Sequence, residues 1–104
     1  MKTLFQKIIN KEEPAKFLYE DDDYIIIDNK YPKAPIHYLI IPKKPIHSIS
    51  ESVKKDKEIL GGLLLLASSF AKKKKIKDYK IVFNCGKHLH IPHLHLHFLA
   101  GDID

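Results

Sequence analysis

Apolar and polar positions alternate along this chain with two different periods, and the changes of period mark out the elements. Leu4, Phe5, Ile8 and Ile9 fall at the spacing of a short helix with one apolar side, with Thr3 placed to cap it and Pro14 to mark its exit. "AKFLYEDDDYIIIDN" holds two β-prone runs around the acidic stretch Asp21 to Asp23, which predicts a hairpin. "KYPKAP" is a connector, since two prolines in so short a stretch exclude regular structure. "IHYLIIPKKP" reads as a strand closed by Pro42 and Pro45. Alternation sends Ile36, Tyr38 and Ile40 to one face and His37, Leu39 and Ile41 to the other.

From Ser50 the period changes to that of a long helix, with Leu60, Leu63, Leu64, Ala67, Phe70 and Ala71 at three- and four-residue spacing. Ile59, Leu65 and Leu66 widen this stripe beyond one face, and a helix apolar on several sides needs a second cover. In so small a chain a second copy of the protein is the expected one, so a homodimer is expected. "YKIVFN" and "HLHLHFLA" are two further strands. The expected fold is α+β: a mostly antiparallel five-stranded sheet, a short N-terminal helix and one long central helix, in a single domain over residues 1–104.

Composition narrows the function classes. The 104 residues carry a formal net charge of +5, which raises nucleic acid as a partner. All 18 basic residues are lysines, however, and guanidinium forks supply most bidentate base and phosphate recognition. The lysine run "KKKKIK", residues 72–77, falls where the long helix ends and suits its dipole. No nucleic-acid partner is therefore expected. The apolar run "ILGGLLLLA" is too short to span a bilayer, so no membrane partner is expected. No signal-peptide core forms at the start, and one cysteine, Cys85, makes no internal disulfide; a cytoplasmic location is the expectation.

The chemistry concentrates in "HLHIPHLHLHFLAG", residues 88–101, which holds five of the seven histidines. On a strand, residues two apart share a face, so His93, His95 and His97 form a row while Leu94, Leu96 and Phe98 anchor the opposite face in the core. Three imidazoles in register point to a site. Neutral imidazole is a nucleophile at phosphorus and a proton donor or acceptor near neutral pH. Imidazoles this close resist simultaneous protonation, which favours a neutral nucleophile with a charged neighbour to bind phosphate. The same residues, with His88 and His90, could instead bind a metal. The scarcity of carboxylates near the row argues for a site without metal or other cofactor.

"HLHLHFL" resembles the His-φ-His-φ-His-φ-φ signature, φ being apolar, of the histidine triad (HIT) superfamily. Three more blocks are similar to its Hint-like branch in the same order: "LFQKIINKEEPAKFLYEDD", "APIHYLIIPKKPI" and "VFNCG". The resemblance covers nearly the whole chain. It implies a metal-independent hydrolase of purine nucleoside phosphoramidates or related nucleotide conjugates, acting at the α-phosphate of an AMP-type substrate as a homodimer. By position it implies His95 as the nucleophile that becomes nucleotidylated and His97 as the residue contacting phosphate and leaving group. His93 would orient the nucleophile, with His37 behind it as a fourth histidine. Asn84 would contact the ribose-phosphate side, and Phe5, Ile8 and Ile27 the base.

Departures from the branch bear on substrate. Its acidic ribose ligand aligns with Asn29; Asp28 lies one position early, where strand alternation turns it to the other face. His88 and Leu89 replace glycine and glutamine, and His90 stands at a phosphate-contacting serine, as an extra site residue or a surface histidine. His47 reads as surface. The sequence ends at "AGDID", without the tail that shapes the leaving-group pocket in many Hint proteins. Dinucleoside polyphosphate hydrolysis, or nucleotide binding with weak catalysis, are the alternatives.

Overall fold

A computed structural model describes residues 1–102; the last two positions of the expected domain lie outside the described residues. Helix α1 spans Leu4–Ile9 and is closed at its start by a reciprocal pair. The Gln6 backbone N–H donates to Thr3 Oγ1 (3.1 Å) and the Thr3 N–H donates to Gln6 Oε1 (2.9 Å). It ends before Pro14, because Lys11 turns into the left-handed region (φ 64°) and the Glu12 N–H bonds back to the Lys7 carbonyl.

Strands β1 (Phe17–Glu20) and β2 (Tyr24–Asp28) form the expected hairpin. Its acidic turn is held by Asp21, whose Oδ1 accepts the N–H groups of Asp23 and Tyr24 at 2.7 Å each. β3 (Ile36–Pro42), β4 (Tyr79–Val82) and β5 (Leu96–Ala100) complete one antiparallel sheet in the order β1-β2-β3-β5-β4. The α+β architecture read from the sequence is the one observed.

The sheet is covered on both faces, as the near-continuous apolar character of β2 and β3 requires. One face carries Ile26, Ile40, Leu96 and Phe98 against Leu63, Ala67, Phe70 and Ala71 of α2, the long helix Lys57–Lys73. The other carries Ile25, Ile27, Leu39 and Ile41 against Phe5 and Ile8 of α1. The small helix covers only part of its face, and what it leaves open is the site.

Three local expectations are corrected. The long helix starts at Lys57 rather than near Ser50, after 3₁₀ turns at Ile49–Glu51 and Lys54–Asp56. Side chains satisfy this backbone without a helix: Ser52 Oγ donates to the Ile49 carbonyl, and the Asp56 carboxylate accepts the Val53 N–H while holding Lys44. Leu64, counted in the apolar stripe, is turned outward and 47% exposed, next to Leu65 at 72%. The last strand pairs from Leu96, not from His93. Its partner β3 ends at Pro42, which has no N–H to continue the ladder, so Leu94 donates instead to the Ile46 carbonyl (2.6 Å).

Candidate active site

Alternation survives the loss of ladder pairing, because each residue from His93 to Phe98 still has a fixed anchor. Leu94, Leu96 and Phe98 are buried on the α2 side, Phe98 stacked on Tyr79 with centroids 4.6 Å apart. His93, His95 and His97 are thereby turned to the α1 side. His95 and His97 line a cavity of about 670 Å³, a size that takes a small-molecule ligand.

His93 is fully buried beneath that cavity and does not line it. Its Nε2–H donates to the Pro42 carbonyl at 2.7 Å, and its Nδ1 has no partner among the described residues. Its hold on His95 is through the backbone, not the imidazole: His95 Nδ1–H donates to the His93 carbonyl at 2.8 Å. That bond sets the His95 tautomer and leaves the Nε2 lone pair unengaged. The Phe5 ring packs edge-on against the same imidazole, centroids 4.8 Å apart, and restrains its orientation.

His37 does not stand behind His95. It pairs with His97, with Nε2 and Nδ1 2.9 Å apart. The direction of this bond follows from the next one: the Lys33 backbone N–H donates to His37 Nδ1 at 3.0 Å. A neutral His37 therefore carries its proton on Nε2 and donates it to His97 Nδ1, which leaves the His97 proton on Nε2. The Asn84 side-chain amide lies 3.3 Å from that nitrogen; turned by half a rotation it accepts this proton through its oxygen. The same fold thus presents one imidazole as a bare lone pair, His95, and the next as an N–H donor, His97. Their centroids are 4.9 Å apart.

Electrostatics differ from the expectation of a charged neighbour. Burial pushes all four histidines, His37, His93, His95 and His97, below the usual imidazole range. His97 goes furthest, to about 4, through burial first and then the fields of His95, His37, Lys33 and His90. The free site is a neutral imidazole row, since four cations cannot share one dry pocket. His97 stays neutral in the fold down to about pH 4 but protonates near 6.5 when unfolded, so its stabilising effect is complete above about pH 6.5 and is lost as the pH falls toward 4. A urea-denaturation series is expected to show stability falling by up to about 1.4 kcal/mol per pH unit in that window for His97, with further loss of the same sign from His37, His93 and His95. A flat profile between pH 6.5 and 4.5 would contradict the neutral row.

The remaining site residues divide by position. Phe5, Ile8 and Ile27 are buried and also line the cavity, so they are core and pocket wall at once. Asn84 and Asn29 both face it. Asn29 Oδ1 accepts the Tyr31 N–H, and its side-chain nitrogen lies 3.3 Å from His37 Nε2 and 3.5 Å from His37 Nδ1. Asp28 borders the cavity as well, but it is paired with Tyr38 in the ladder and its charge acts on Tyr38, on the α2 face, as alternation predicts. His88 and His90 are exposed at the rim. His47 is exposed and pairs with Glu51. Among the described residues no three His, Cys, Asp or Glu side chains are placed to hold a metal ion. The sequence reading missed Lys33, which lies in a proline-bounded connector with no periodicity to mark it; its only signal is its place four residues before His37.

A five-stranded antiparallel sheet that turns an alternating row of imidazoles into a ligand-sized cavity is the arrangement of a histidine triad protein. Residues 2–104 match the family model described as the scavenger mRNA decapping enzyme C-terminal binding domain. The chain is 42% identical over 102 residues to an uncharacterised HIT-like protein of Synechocystis, covering 95% of this chain and 90% of that one. A HIT family hydrolase from Legionella pneumophila superposes with a TM-score of 0.93 at 35% identity, covering 98% of this chain and 95% of that one. A HIT family hydrolase from Clostridium thermocellum gives 0.91 at 35%, covering 99% and 94%. The chain belongs to the HIT-like family.

Proposed function

We propose that this protein hydrolyses nucleotide conjugates at the α-phosphate, with purine nucleoside phosphoramidates of the AMP type as the substrate class and a nucleotidyl-His95 intermediate. One observation carries the reading: adjacent imidazoles held in opposite tautomers, His95 with a free Nε2 lone pair and His97 with an Nε2 proton. His95 Nε2 attacks phosphorus and the N–P bond forms as the bond to the leaving amine breaks. The His97–His37 pair takes up one proton when the anionic phosphate binds; the leaving nitrogen takes the electron pair and that proton through His97 Nε2, and the pair returns to neutral along the 2.9 Å bond. Water then attacks phosphorus, gives its proton back to the His97–His37 pair, and displaces neutral His95 with release of the nucleoside monophosphate. No metal takes part in either step.

Family membership and the solved HIT family hydrolases support hydrolase chemistry. The Hint-like assignment rests on the four sequence blocks. The base lies against Phe5, Ile8 and Ile27, and Asn84 contacts the ribose-phosphate side. Asn29 contacts the ribose, and His90 meets the phosphate from the rim. The test is turnover of adenosine 5′-phosphoramidate with and without a chelator. Loss of turnover on chelation would overturn the metal-free mechanism.

A homodimer in the cytoplasm completes the proposal. Leu64 and Leu65 on α2 and Ile81 on the edge strand β4 are exposed large apolar side chains, the composition of a surface that a second copy covers. Light scattering at micromolar concentration is expected to give twice the chain mass, and Leu65→Glu to give a monomer. A monomeric unsubstituted protein would remove this part of the proposal.

A further inference from the structure

The neutral imidazole row leaves the site without a cation of its own, yet the reaction proposed above passes through a phosphoryl group that carries negative charge. The rim supplies the candidates: Lys16, Lys30, Lys33 and Lys87 line the cavity, as do His88 and His90. Among these, Lys33 differs in two ways. Its backbone N–H is bonded to His37, one hydrogen bond from His97, so its place beside the triad is set by the network itself. Lys33 and His90 are also the rim groups whose fields reach His97, and the field of Lys33 reaches His37 as well. A lysine is a standing cation in the neutral range, which a histidine is not. Among the described residues no carboxylate lies within ion-pair distance of Lys33, so its ammonium is uncommitted.

We propose that Lys33 is a phosphate-binding residue of this site: its ammonium contacts the non-bridging oxygens of the phosphoryl group that His95 attacks. The inference rests on the proposed nucleotide chemistry and adds a residue to it. In a chain without arginine, a compact ammonium is the available form of fixed charge. It lies on a connector whose backbone already sets the tautomers of His37 and His97, so one short segment orients the proton donor and neutralises the charge it works on. The same field adds, after burial and the fields of His95 and His37, to the cost of protonating His97 in the free protein. A bound phosphate cancels that field.

The test compares Lys33→Met and Lys33→Arg in the full chain, with AMP and adenosine as probes in calorimetric titrations. Both substitutions keep the backbone N–H that holds His37, and Lys33 is exposed, so the fold is not at stake. Lys33→Met is expected to weaken AMP binding about 10- to 100-fold, the worth of one charge-assisted hydrogen bond, while adenosine binding stays the same. Lys33→Arg is expected to restore AMP binding to within a few-fold. The His97 imidazole, followed by NMR, should titrate higher in Lys33→Met than in the unsubstituted protein. Equal AMP affinity in Lys33→Met and the unsubstituted protein overturns the role of Lys33 and leaves the nucleotide reading intact. An unsubstituted protein that binds neither AMP nor adenosine overturns both.

Discussion

His95→Ala is expected to remove turnover of adenosine 5′-phosphoramidate by about 10⁴-fold or more, the scale on which loss of a nucleophile is felt when it acts as one unit with its partners. Nucleotide binding should survive, because the rest of the cavity lining and the His37–His97 hydrogen bond do not run through the His95 ring. His95→Asn sharpens the result: an asparagine keeps a polar group facing the His93 carbonyl but has no nucleophilic lone pair at the Nε2 position. Single-turnover mass measurement should find a nucleotidyl adduct on the unsubstituted chain and none on either variant. Turnover persisting in His95→Ala would end the covalent mechanism, whatever the metal content of the preparation.

The second large effect is one of stability. Phe98 is fully buried, stacks on Tyr79 and lies 5.7 Å from the Tyr38 ring on the next strand. Phe98→Ala is expected to cost about 3–5 kcal/mol, combining lost transfer energy with a cavity the neighbouring rings do not fill. For a domain of this size that is a large share of the total stability. The loss reaches the site as well, since Phe98 is the anchor immediately after His97 and fixes which way that imidazole turns. Chemical denaturation should show the shift in midpoint. A loss below about 1 kcal/mol would mean that the strand is not held by this side chain.

These two residues divide what could be read from the chain alone. The His-Leu-His-Leu-His-Phe alternation states, without coordinates, that one face of a strand carries imidazoles and the other enters a core. The Thr3 cap, the acidic turn at Asp21 and the two faces of β3 are equally legible, because each depends on contacts a few residues apart in sequence. The helix start was misplaced because Ser52 and Asp56 satisfy their neighbours' backbone groups in 3₁₀ turns, and periodicity does not register such bonds. Leu64 was misplaced for another reason. An apolar stripe that runs nearly round a helix does not say which part faces the sheet.

The functional side chains sort the same way. His95 and His97 are identifiable by type and spacing; Asn84 and the pocket role of Phe5, Ile8 and Ile27 come only from the resemblance to the HIT superfamily, since periodicity makes those three core. The partnerships of these side chains are not legible that way. That His37 donates to His97, that His93 acts through its carbonyl from beneath the cavity, and that Lys33 stands beside the pair are consequences of strand order. β3 is placed against β5, in a register that sets Leu39 opposite His97 and brings His37 within reach of it across sixty residues of chain. By itself, then, the sequence determined the elements, the two-faced strand and the imidazole row, since those are properties of local spacing. The tertiary structure alone decided which ring nitrogen holds a proton and which imidazole is neutral. Tautomer and charge depend on hydrogen bonds and burial supplied by residues far away in the chain.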